Sequence, residues 1–142
     1  MPEAQRTVDK PWGREIWWAL HHAYCGKRIE IIAGHALSLQ YHEHKHETLY
    51  FLSGTVRLRL GHDEYTVHAG CAAVVAPGVV HRVEALTDAI IFEVSTPELD
   101  DVVRLEDRYG RVSTPAGPHA AARGAAPLRE SSPGAPFPGR VI

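Results

Sequence analysis

Between residues 27 and 95 the chain switches repeatedly between short apolar runs and polar punctuation. The runs read "KRIEIIAG", "ALSLQYH", "TLYFLSG", "TVRLRLG", "EYTVHAG", "AAVVAPG", "VVHRVEA" and "AIIFEVS", with Gly, Pro, Asp or His between them. A strand plus a turn roughly every ten residues predicts an all-β sandwich or barrel. No ten-residue stretch of this region has helical periodicity. The period of two assigns faces: Val56, Leu58 and Leu60 share one side of their strand and Arg57 and Arg59 the other. By the same rule Ser38, Gln40, His42 and His44 point together, opposite Leu37, Leu39 and Tyr41.

The pattern changes on both flanks. In "STPELDDVVRLEDRYGR", Thr96 reads as a helix cap with Pro97 at the first helical position, and Leu99, Val102 and Val103 form a small apolar stripe. One or two helical turns docked on the barrel are expected there. The N-terminal "KPWGREIWWALHHAY" carries all three tryptophans. It reads as a strand or arm whose aromatics cover an open end of the barrel, with Trp12 or Trp17 at a pocket mouth as the sharper alternative. From 112 to 142, Pro, Gly and Ala supply 17 of 31 residues, too little apolar surface to offset ordering entropy. The expected organisation is an arm over 1–26, a barrel with its docking segment over 27–111, and a disordered tail over 112–142, whose closing "APFPGRVI" could act as a docking peptide.

Composition narrows the function. A chain of 142 residues has room for one core and one site. A formal net charge of −2 supplies no basic field for a phosphate backbone, so no nucleic-acid partner is expected. Cys25 and Cys71 are too far apart for a CxxC motif and are read as reduced thiols. Neither a signal sequence nor an 18-residue apolar run occurs, so no membrane association and a cytoplasmic location are expected.

Ten histidines change the picture, because three of them alternate in "QYHEHKHE". Imidazoles at i and i+2 of a strand stand about 6–7 Å apart on one side and can converge on an ion. The plainer reading is a polar edge strand, with His46 beside Lys45 as an ordinary surface residue. A fourth ligand has to come from a distant segment, and His81 in "APGVVHRVE" is the candidate.

"GHALSLQYHEHKHETLYFLSG" followed by "GCAAVVAPGVVH" resembles the two-part signature of the cupin superfamily. The closer resemblance is to type II phosphomannose isomerases and to the cupin domain at the end of bifunctional mannose-1-phosphate guanylyltransferase/isomerase proteins. "KPWG", "LSLQ" before the histidines, "PGVVHR" and "DDVVRLEDRYGR" carry it from about Lys10 to Arg111. The resemblance implies a cupin fold (a double-stranded β-helix, or jelly-roll barrel) whose divalent metal is held by His42, His44, Glu47 and His81, with His46 as the substitute for Glu47. Zinc is the first choice, with iron, manganese, nickel or cobalt as alternatives. It also implies a homodimer and a small-molecule sugar phosphate as partner. The expected activity is isomerisation of mannose 6-phosphate to fructose 6-phosphate; another metal-dependent reaction of dioxygenase type, or non-catalytic sugar binding, are the rivals. A nucleotidyltransferase domain has no room here and no Gly-rich nucleotide loop precedes the barrel, so sugar-nucleotide synthesis is not expected.

Isomerisation needs a base, a group to receive oxygen-borne charge and a grip on phosphate. Glu93, Lys27 and Arg111 are the catalytic candidates, and Gln40, Tyr24 and Arg82 the substrate-binding ones. Arg104 and Arg108, the other cations within reach of a phosphate, are instead expected to pair with Asp100, Asp101, Glu106 or Asp107 on a solvated helix.

Overall fold

The computed structural model describes residues 5–113, and in it all eight runs between 27 and 95 become strands. Two further strands precede them and one follows. The order is β1 (Arg6–Lys10), β2 (Gly13–Leu20), β3 (Cys25–Ile31), β4 (Leu39–Tyr41), β5 (Glu47–Ser53), β6 (Val56–Leu60), β7 (Asp63–Val67), β8 (Ala72–Val75), β9 (His81–Ala85), β10 (Ala89–Ser95) and β11 (Val103–Glu106). They form two antiparallel sheets, β1-β2-β3-β10-β5-β8 and β11-β4-β9-β6-β7.

Alternation explains how the sheets face each other. Leu49 and Phe51 of β5, Val56 and Leu58 of β6, Val75 of β8, Val83 of β9 and Ile91 of β10 all turn inward and form one buried core with Trp12. A smaller cluster of Leu39, Tyr41 and Val80, packed against Val103 and Leu105, holds β4 and β11 in place. The N-terminal arm is a hairpin that extends the larger sheet, and the expected boundary between residues 26 and 27 falls inside β3.

The expected helical turns at 96–103 are not formed; no helix occurs among the described residues. Residues 96–102 make a turn, and the chain then adds β11 to the edge of β4. That route satisfies the backbone through a ladder and frees Asp101 for contacts with the loop after β4, an outcome local helix signals cannot register. The expected tail lies, apart from Val112 and Ser113, outside the described residues. No helix among the described residues is long and apolar enough to cross a membrane, and Cys25 and Cys71 are free thiols.

The turn between β5 and β6 depends on Gly54, whose φ is +86° and whose added Cβ would collide with the Asp88 carbonyl oxygen. Gly54→Ala is therefore expected to lower stability by about 2–4 kcal/mol, measured by denaturant unfolding of the purified chain.

Candidate metal centre

Three segments meet at the open end between the sheets. His42 follows the last residue of β4, Glu47 opens β5 and His81 opens β9. Their exposures are 3%, 5% and 3%, and one ligand atom from each lies within 4.8 Å of the others. Glu47 Oε2 is 3.0 Å from His42 Nε2 and 3.3 Å from His81 Nε2.

The second nitrogen of each ring decides where the protons are. His42 Nδ1 sits 2.6 Å from the Asp101 carbonyl oxygen, and His81 Nδ1 sits 2.9 Å from that of Val79. A carbonyl only accepts, so each Nδ1–H donates and a neutral ring presents its Nε2 lone pair. When both rings are neutral, two lone pairs and a carboxylate oxygen face one another, and a cation between them satisfies all three. The Gln40 amide borders the group, with Nε2 3.5 Å from His81 Nε2 and Oε1 accepting from Ser38 Oγ at 2.6 Å. Two imidazoles with a carboxylate suit a divalent ion of borderline hardness.

His44 does not join the group. The strand stops at Tyr41 and the chain bends at Glu43 and His44, so parity along an ideal strand no longer applies. The bend is tied down by Asp101, whose carboxylate accepts the backbone N–H groups of Glu43, His44 and Lys45 at 2.9, 2.7 and 2.9 Å. His44 and His46 are left exposed and Lys45 is buried in their place.

Lys45 bridges two carboxylates, with Nζ 2.9 Å from Glu93 and 3.5 Å from Glu47. Burial disfavours its charge, but the two carboxylates outweigh burial and raise its pKa. Glu93 is shifted upward by burial first and by the Glu47 charge second, against the opposing pull of Lys45 and Lys27. Burial also pushes Glu47 up, yet the hydrogen bonds it accepts from Nε2–H of His42 and His81, where those nitrogens carry a proton in place of a cation, and the Lys45 ammonium hold it well below the usual carboxylate range.

These groups line one cavity of about 450 Å³. Trp17, Lys27 and Glu93 are register partners across β2, β3 and β10 on its wall. Lys27 Nζ lies 4.7 Å from the Trp17 ring centroid and 3.7 Å from Glu15. Lys10, Arg104 and Arg111 complete the lining. Lys10 is lowered first by burial and then, against Glu15, by Arg104, Lys27 and Arg111, which shows four cations crowded into one place. Arg104 is likewise lowered by burial and by Arg111, and its Nε has no hydrogen-bond partner.

The cavity therefore gathers Lys27, Gln40, His42, Glu47, Glu93 and Arg111, with His81 on the ligand group, and also both Trp12 and Trp17. It does not include Tyr24 or Arg82. Tyr24 is exposed on the β2–β3 turn, stacked on His21 at 4.7 Å. Arg82, one residue past His81, faces outward, its Nε donating to the Leu37 carbonyl at 3.0 Å. Arg108 pairs with Glu84 rather than with its own segment. Arg111 does both: its guanidinium grips Asp107 at 2.8 and 3.0 Å while lining the cavity. Lys10, Lys45 and Asp101 escape a reading of the sequence alone as site residues, while Arg104, expected in surface ion pairs, lines the cavity. Lys45 carried a usable signal, since it stands two residues before Glu47 and shares its face. Lys10 and Asp101 carried none, because only the tertiary fold brings them in.

The cupin domain family model matches residues 27–95. Over 112 residues the chain is 34% identical to mannose-1-phosphate guanylyltransferase ManC of Salmonella typhimurium, covering 75% of this chain and 23% of that protein. Over 111 residues it is 32% identical to xanthan biosynthesis protein XanB of Xanthomonas campestris pv. campestris, covering 75% and 24%. The chain thus spans about a quarter of the length of these relatives. Among solved structures it resembles KdgF from Halomonas sp. (TM-score 0.60, 16% identity, 69% of this chain and 89% of that one). It also resembles the S161A mutant of Bacillus subtilis oxalate decarboxylase OxdC (TM-score 0.60, 18% identity, 71% and 30%). At these identities the structures speak to the fold, two antiparallel sheets in the cupin arrangement.

Asp101→Ala is expected to cost about 2–3 kcal/mol, since three backbone donors lose a charged acceptor. Burial raises the Asp101 carboxyl and those donors outweigh it, so its pKa in the folded chain lies below the unfolded value. The stabilisation is then complete above the unfolded pKa and disappears as pH falls through the folded one. Melting temperatures of the two proteins should accordingly converge in acid, as a calorimetric pH series would record.

Proposed function

We propose, from the cupin domain that the chain carries over residues 27–95, that it is a metal-dependent isomerase of a sugar phosphate, converting mannose 6-phosphate to fructose 6-phosphate. The observation that carries the reading is the joint presence, in one cavity, of a His/Glu/His group, a buried Lys45–Glu93 pair and a crowd of four cations. Relatives named for mannose 1-phosphate chemistry are consistent with a mannose phosphate as ligand.

His42, Glu47 and His81 would hold the ion, and a divalent ion there supplies several kcal/mol of stabilisation to negative charge on a sugar oxygen; zinc is the first candidate. Gln40 orients the neighbouring hydroxyls. Glu93, whose raised pKa makes it a stronger base than an ordinary carboxylate, takes the proton from C2 and returns it to C1. Lys45 presents its ammonium to O1, gives it a proton as the enediol forms and recovers one from the O2 hydroxyl as the C2 carbonyl forms, and its contact with Glu93 fixes the carboxylate's aim. Lys10, Arg104 and Arg111 receive the phosphate; arginine offers it two parallel N–H donors. Trp17 and Trp12 supply apolar wall and limit water.

Substitution of His42 or His81 by Ala should abolish metal stoichiometry in elemental analysis while leaving the far-ultraviolet dichroism unchanged. Glu93→Gln should cut kcat by about 10²–10⁴ in a coupled fructose 6-phosphate assay with metal retained. Arg104→Ala should raise KM by about tenfold or more with kcat little changed. Iron with oxygen uptake, or binding of mannose 6-phosphate without turnover in metal-loaded protein, would sink the isomerase reading.

A further inference from the structure

Arg82 follows the ligand His81 on β9, and strand parity sends its side chain to the opposite face, away from the metal group. There it meets other arginines. In the register of β6 with β9, Arg59 stands directly opposite Arg82, and Arg57 directly opposite Glu84. Arg108 reaches the same face from the turn after β11, donating to Glu84 at 2.9 Å. Like charges placed directly across two strands are destabilising, so the Arg59–Arg82 pair has a physical use for an anion beside it.

The arginines surround a hollow and are held in place. Arg57, Arg59, Arg82 and Arg108 line a cavity of about 210 Å³ on the outside of the five-stranded sheet, together with the carboxylates of Glu64 and Glu84. Backbone carbonyls pin three of the guanidiniums: Arg59 Nε donates to Gly61 at 3.2 Å, Arg82 Nε to Leu37 at 3.0 Å and Arg108 Nη1 to Gly34 at 3.2 Å. A carbonyl fixes a guanidinium without cancelling its charge. Glu84 is shared between Arg57 and Arg108 at 2.7 and 2.9 Å. Glu106 stands 3.7 Å from Arg82 on a side chain that is 67% exposed, a pair of little worth in water. Four guanidiniums against two carboxylates leave two positive charges around the hollow.

We propose that this hollow is a second anion site, which takes a phosphate dianion, free or as the end of a small phosphate ester. A phosphate monoester carries about −1.5 to −2 at neutral pH, which matches the excess charge. Its oxygens suit the paired N–H donors that planar guanidiniums present. The volume is below the roughly 300–1,000 Å³ of sites for drug-sized ligands, so a phosphate with a short carbon chain fits and a nucleotide does not. The site lies across the sheet from the metal group and owes nothing to the chemistry proposed there. Arg108 belongs to the turn that brings Arg111 to the metal cavity, so an anion held here bridges that turn to β6 and β9.

Phenylglyoxal, which modifies accessible arginines, reads the site in the full chain. Rising inorganic phosphate, with ionic strength held constant by chloride, should slow modification of Arg57 and Arg59 saturably, by about tenfold at ten times the half-effective concentration. Peptide mass spectrometry would resolve these positions from Arg14, exposed on the other sheet, whose rate should not change. Glycerol 3-phosphate separates the two sources: tighter protection assigns the site to an ester, equal protection to the free ion. Arg59→Glu sets a carboxylate opposite Arg82 and should abolish protection of Arg57 without lowering the melting temperature. Arg104→Ala, which alters the metal cavity, should leave that protection intact. Modification rates indifferent to phosphate, equal slowing at Arg14, or protection of Arg57 that persists in Arg59→Glu or is lost in Arg104→Ala would overturn the proposal. Protection by polyglutamate but not by phosphate would overturn it too, and would assign the face to an acidic protein partner.

Discussion

Two imidazole rings, each pinned by a backbone carbonyl, determine what the open end of the barrel can do. Because Asp101 and Val79 each accept the Nδ1–H of one ring, both Nε2 atoms are aimed at Glu47, where each can carry a lone pair for a cation or a proton for the carboxylate. The surrounding charges follow from it: Glu47 is held ionised, Lys45 is drawn in beside it, and Glu93 is shifted upward by burial and the neighbouring carboxylate.

The strand rhythm between 27 and 95 was readable because each strand buries one or both of its faces, and burial writes itself into alternation or into continuous apolar runs. The flanking segments were less readable for a physical reason. Thr96, Pro97 and the spaced Leu99, Val102 and Val103 are sound local helix signals, yet β4 offers that segment an open ladder, and a tertiary partner outweighs propensity. The tryptophan-rich arm, expected as a strand or arm over the barrel's end, is a hairpin continuous with the larger sheet.

At the site, the histidine whose alternation drew attention was the misleading part. Parity holds only while a strand lasts, and β4 lasts three residues. Beyond Tyr41 the bend secured by Asp101 exchanges His44 for Lys45, so the group is completed by His81 from β9. The distant partner was legible from its Pro-Gly turn and its resemblance to a known motif. The cations were half legible: Lys27 and Arg111, named as candidates, line the cavity, and Arg104, expected to pair on a solvated helix, lines it too because its segment forms β11.

The placement of the tryptophans has an optical consequence. Trp17 carries Lys27 on its ring and Arg6 close by, each 4.7 Å from the centroid, and it borders the cavity together with Trp12. Trp18, the next residue, stands on the reverse side of the same sheet against Phe92. Indole emission responds to nearby charge and to wetting, so adjacent residues act as separate gauges, one for anions entering the barrel and one for whatever shelters its back.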